Sequence, residues 1–192
     1  QEMEKLAKQI WFPAYNLTDI STSIKLLKGD DTEDVEHLTN SIYLPKVGNS
    51  EVVSSLSEMK IKPKNYFQFQ LNENIANSIF VANYFNSQIG KKLRDTLFVG
   101  AVIPQISKNQ LNNCILYLPD LNTQSKVVEL DSKIKQFSMR LEDLKRDLWK
   151  QPKNASTILK ELKTINQEEK LEDWIDKLPF PISSILWRYY AT

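Results

Sequence analysis

Between Val127 and Leu148 the apolar residues Val127, Leu130, Ile134, Phe137, Leu141, Leu144 and Leu148 follow one another at steps of 3, 4, 3, 4, 3 and 4. That spacing fills the a and d positions of three heptads in a row. It predicts one helix, roughly 35 Å long, whose apolar stripe suits a single partner helix and is too narrow for a broad core. The remaining sequence must therefore supply the core elsewhere. We expect an α+β chain: a globular mixed α/β head over 1–122, the heptad helix over 123–150, a second helix packing on it over 155–178, and a truncated helical tail over 179–192.

The head reads as strands and helices in alternation. Met3 to Ile10 predicts a short helix stopped by Pro13. Ser21 to Leu27 fits a strand or a turn of helix. Ser41 to Val47 reads as a strand that Pro45 either confines to a sheet edge or breaks, and Gly48-Asn49 is a turn signal. Lys60, Lys62 and Lys64 alternate with other residues, which on an extended segment places all three on one side. Tyr66 to Leu71 continues as a strand, with Phe67, Phe69 and Leu71 facing one way and Gln68 and Gln70 the other. From Glu73 to Leu97 the apolar period becomes helical, with Gly90 marking a weak point or a break. Ser107 is the expected cap of a single turn ending at Leu111, and Cys114 to Leu118 is a strand. Asn122 or Thr123 is expected to cap the heptad helix and Pro152 to end it.

Charge is uneven along the chain. The net charge is +1, but residues 1–40 carry −4 and residues 41–126 carry +4. A nucleic-acid partner would have to meet that middle segment. Four glycines leave no glycine-rich phosphate or cofactor loop, and one cysteine excludes an internal disulfide and a cysteine-built zinc site. The acidic run Asp30 to Glu36 lacks the glycine and distal glutamate of a calcium loop and reads as solvated. His37 has no nucleophile elbow beside it, and Cys114 reads as a core thiol. Neither a cofactor nor a metal is expected, and any catalysis would lie on another domain or subunit. No apolar run reaches the length of a membrane span and no signal-peptide pattern opens the chain, so a cytoplasmic protein is expected. Starting as it does at Gln1, the chain is expected to be a piece of a longer protein.

The most informative run is Gly100 to Gln124. It reads Gly100, then Ile103-Pro104-Gln105-Ile106-Ser107, Leu111, Ile115 to Leu118, Pro119, Leu121 and Gln124, with the long helix following. This order resembles the end of a target recognition domain in the specificity subunit of type I restriction–modification enzymes: a glycine, an Ile-Ser turn with a leucine four residues on, an apolar strand ending in proline, then leucine and glutamine leading into a spacer helix. Tyr84-Phe85-Asn86-Ser87 resembles a further segment of that family more loosely. The resemblance covers about 42–149, is also shared by modules fused to adenine-methylating domains, and departs from the family in having one head rather than two. It implies no catalysis in the chain itself. What it implies is sequence-specific recognition of double-stranded DNA, with a methyltransferase subunit or domain, and a restriction subunit, as partners. Two chains pairing their heptad helices into a homodimer would mimic the two-headed subunit.

DNA contact calls for Lys or Arg at phosphates and for Asn, Gln, Arg or Lys at base edges. The candidates in the basic segment are Lys46, Asn49, Lys60, Lys62, Lys64, Asn65, Lys91, Lys92, Arg94, Gln105 and Lys108. Lys60, Lys62 and Lys64 are the leading phosphate candidates. A non-catalytic protein–protein module, using the heptad helix and the Trp174 to Trp187 segment, is the alternative that the near-neutral charge favours.

Overall fold

In a computed structural model the chain is described over residues 12–100 and 104–168. Its elements are β1 (Ala14–Asn16), β2 (Ser21–Leu26), β3 (Ser41–Pro45), β4 (Tyr66–Leu71), α1 (Ser78–Asn86), α2 (Gln88–Leu97), β5 (Phe98–Val99), β6 (Gln105–Ile106), α3 (Lys108–Leu111), β7 (Ile115–Tyr117), α4 (Leu121–Lys150) and α5 (Ala155–Glu168). The fold is α+β. Among the described residues the sheets are antiparallel: β2-β4-β3, β1-β7 and β5-β6.

The central strand is β4, and its alternation works on both faces. Phe67, Phe69 and Leu71 join Ile42 and Leu44 of β3 and Val81, Ala82 and Phe85 of α1 in the main core. Tyr66 turns to the other face and packs with Leu27, Tyr43 and Val53. Burying a side chain such as Phe69 contributes about 1.5–3 kcal/mol, so these three residues outweigh any surface ion pair at about 0–1 kcal/mol. Gln68 is buried on the second face but satisfied: its amide donates to the Glu36 carbonyl at 2.9 Å and to the Tyr43 hydroxyl at 3.4 Å. His37 is an exposed residue whose Nδ1 is hydrogen-bonded to the same hydroxyl at 3.1 Å. Burial raises the Tyr43 phenol above its ordinary range, so it remains a neutral member of this network.

Several sequence expectations are sharpened. Ser21–Leu26 is a strand, and Pro45 is the last residue of an edge strand, where its missing N–H costs no ladder bond. The expected helix over Glu73 to Leu97 is two helices. Ser87 breaks it, in extended conformation, and its hydroxyl accepts from Gly90 N–H at 3.2 Å to cap α2. Gly90 is required by packing: a Cβ there would lie 1.9 Å from the Tyr84 carbonyl oxygen.

Two expectations are overturned. Lys60, Lys62 and Lys64 do not lie on an extended segment, because Pro63–Asn65 closes a 3-10 turn immediately before β4. Pro63 has the fixed φ that suits the first position of such a turn. The cap of α4 is neither Asn122 nor Thr123 but Asp120, whose carboxylate accepts from Thr123 N–H at 3.0 Å and Thr123 Oγ1 at 2.7 Å. These bonds hold the Asp120 carboxyl below its ordinary range. The expected helix at Met3 to Ile10 and the expected segments over 169–178 and 179–192 lie outside the described residues.

Contacts divide the chain into two units, Gln1–Ser125 and Lys126–Thr192. In the second, Leu144 and Ile158 are buried together, with Phe137 against them. Fourteen residues of continuous helix would separate Leu144 from Ile158 by about 21 Å. Their contact therefore requires the chain to reverse, which it does through the turn Pro152–Asn154. The rest of the heptad set is unevenly covered. Leu130 is buried and Val127 and Ile134 are half-buried, whereas Leu141 and Leu148 are each 37% exposed. Among the described residues no helix is long and apolar enough to cross a membrane.

Candidate nucleic-acid interface

Lys46 stands at a junction of hydrogen bonds. Its N–H donates to the Asn65 carbonyl at 2.8 Å, at the foot of β4, and its carbonyl accepts from Ile106 N–H at 2.8 Å in β6. Val47 bridges to Gln105, and Gln105 pairs in turn with Val99 of β5. The β5–β6 ribbon is thereby held beside the open end of the β2-β4-β3 sheet. Between them lies a groove of about 660 Å³. Ile24, Leu26, Phe67, Val99 and Ile106 give it apolar surface, and Lys46, Gln105, Ser107 and Lys108 give it polar groups. Among the described residues no carboxylate lines it. Among the described residues neither Lys46 nor Lys108 has an ion-pair partner.

The structure thus gathers three candidates, Lys46, Gln105 and Lys108, from positions about sixty residues apart in sequence. Ile24, Leu26, Val99 and Ser107 share the groove and were not singled out as contacts by sequence. An isolated valine or leucine carries no binding signal until its neighbours in space are known.

The other candidates are placed differently. Lys60 pairs with Glu51 at 2.7 Å, while Lys62 and Lys64 converge on Asp30 at 3.2 and 2.7 Å. The bonds from Lys64 and then Lys62 hold the Asp30 carboxyl below its ordinary range. The partner of Lys62 and Lys64 thus comes from the acidic run that reads as solvated loop. Asn49 is exposed in the turn after Gly48, whose φ of 66° is the left-handed conformation glycine favours. Asn65 is half-buried, and Lys91 and Lys92 are exposed on α2. Arg94 is not a surface contact: it is 4% exposed, and its Nη1 donates to the Ser50 carbonyl at 2.8 Å. Desolvation lowers its pKa, opposed by the nearby Asp95 and Glu51 charges. Its place in the last turns of an amphipathic helix suggested a solvent-facing charge, but the buried face of α2 claims it along with Leu93 and Leu97.

The Gly100 to Gln124 run does structural work. Gly100 takes a φ of 114°. Ser107 N–H donates to Gln110 Oε1 at 3.2 Å, closing the expected single turn, and Leu111 and Leu116 are fully buried. Gln124 is fully buried in the first turns of α4. Its amide donates to the Ile75 carbonyl at 2.9 Å and the Pro119 carbonyl at 2.8 Å, and its oxygen accepts from Asn77 N–H at 2.9 Å. All of these bonds lie within the first unit. Replacing it by an apolar residue would leave those backbone groups buried without partners, at about 1–3 kcal/mol each.

Chemistry of other kinds finds little here. Among the described residues no group of three His, Cys, Asp or Glu side chains could hold a metal ion. The Cys114 thiol is buried and its pKa is pushed up to about 12 by that burial. No protein-family model and no curated protein matches the chain.

Proposed function

We propose that this chain is the DNA-recognition component of a restriction–modification system, with its first unit as the reading head and α4 as spacer and docking helix for a methyltransferase subunit or domain. The observation that carries the reading is the groove where Lys46, Gln105 and Lys108 meet with no carboxylate among its described lining residues. It supplies cations for phosphates and an amide for base edges in one place. The resemblance over Gly100 to Gln124 supports it further, since Gln124 and Ser107 hold their local structure by specific hydrogen bonds rather than standing as loose surface residues.

Salt titration of binding to mixed-sequence duplex DNA tests this reading. Binding at low salt should weaken steeply as salt rises, with a slope near −0.9 per phosphate contacted. Absence of binding at low salt defeats it. A second reading, a protein–protein module, is favoured by the 79% exposure of Trp149 beside the partly exposed Leu148 on α4. No DNA binding, together with concentration-dependent self-association in sedimentation that Leu148→Glu abolishes, would favour that alternative.

A further inference from the structure

Val99 and Gln105 are direct cross-strand partners in the β5–β6 ribbon. Opposed residues of an antiparallel pair present their side chains on the same face, about 5 Å apart. Both are exposed, Val99 at 47%, and the Gln105 amide has no hydrogen-bond partner among the described residues. Lys46 and Lys108 share the groove with them, also unpaired. Among the described residues, then, an amide without a hydrogen-bond partner and an exposed aliphatic group stand side by side, with lysines without ion-pair partners to either side in sequence and no carboxylate lining the groove.

The major-groove edge of an A·T pair has the matching order. Adenine offers the N7 acceptor and the N6 amino donor, while thymine offers O4 and the C5 methyl. A side-chain amide can donate to N7 and accept from N6 at once, and an aliphatic side chain can cover the methyl. A G·C pair presents two adjacent acceptors on guanine and no methyl, so it takes only the amide's donated bond, leaves the amide oxygen unpaired and offers the valine nothing to cover. The major groove is also wide enough to admit a two-stranded ribbon. Resting on the DNA-reading role proposed above, we propose that Gln105 and Val99 read one A·T base pair of the target, with Lys46 and Lys108 holding flanking phosphates.

Selection of bound duplexes from a randomised pool, with the full chain, tests the assignment. The unchanged chain should select a motif containing an A·T position. Gln105→Ala should lower the preference at that position on the order of tenfold. Gln105→Glu should turn it toward C·G, because a carboxylate accepts from the cytosine amino group and cannot donate to adenine N7. Uracil in place of the thymine removes only the methyl; it should weaken binding of the unchanged chain several-fold but hardly affect Val99→Ala. A specific motif that stays the same in both Gln105 variants overturns the assignment and leaves DNA recognition standing. Failure of the unchanged chain to bind any duplex at low salt overturns both.

Discussion

The first unit carries two sets of lysines, and they differ in what surrounds them. Lys60, Lys62 and Lys64 are close in sequence; Glu51 pairs with Lys60, and Asp30 is shared by Lys62 and Lys64, at 2.7 to 3.2 Å. Lys46 and Lys108 are far apart in sequence, yet they line one groove with no carboxylate among its described lining residues. A run of like charges in a sequence invites its own counter-charges, since folding next to them without compensation is unfavourable. A cationic surface that remains uncompensated is instead assembled from separate segments, here the end of β3 and the start of α3. If the DNA-reading role holds, the second set is expected to contribute more to the potential that an incoming polyanion meets.

That contrast can be broken in four ways. The largest effect is expected from reversing both groove charges: Lys46→Glu with Lys108→Glu should lower duplex affinity at least about tenfold near 0.1 M salt and flatten the salt slope by about two phosphate contacts. A loss no larger than that from reversing an unrelated exposed pair would erase the distinction. Next, Asp30→Asn should tighten binding roughly threefold, because it frees Lys62 and Lys64 without adding charge to the groove; fluorescence anisotropy with a labelled duplex would read this. Smaller still, Lys62→Ala with Lys64→Ala should weaken binding less than about twofold, since each exposed lysine is already partnered. The smallest effect concerns pH. Asp30 has its folded-state pKa lowered, so its hold on the two lysines is fully present above the ordinary carboxylate range and is lost only as pH falls through the lowered value. The affinity ratio of Asp30→Asn to the unchanged chain should therefore stay constant from about pH 5 to about 8, and narrow only below about pH 4. A ratio that drifts near neutrality would mean that Asp30 is not the group in control.

Local patterns were legible and spatial partners were not. Tyr66–Leu71 could be read residue for residue because both of its faces are written in period two. The heptad run emerged as one helix, Leu121–Lys150, because nothing inside it interrupts the 3.6 period. Gly90 signalled trouble in a helix, but the break falls at Ser87, which takes an extended conformation and caps the next helix, while Gly90 is needed because the backbones of Tyr84 and Phe85 come too close for a side chain there. By contrast, β1 is three residues long and exists only through its register with Ile115–Tyr117, about a hundred residues away. Similarly, the groove needs the Ile106 to Lys46 hydrogen bond, which no window of sequence contains. Arg94 misled for the same reason: its charge argued for solvent, and its partner is the carbonyl of a residue forty-four positions earlier.

Cys114 has a practical consequence. With its pKa pushed up to about 12, only about one thiol in ten thousand is ionised at pH 8, and the sulfur is fully buried. As the chain has one cysteine in all, it is expected to react only slowly with alkylating reagents while folded. A cysteine introduced at Asn49 would then be the more reactive thiol, giving a fluorescent or spin reporter in the exposed turn after Gly48 without first deleting a core residue.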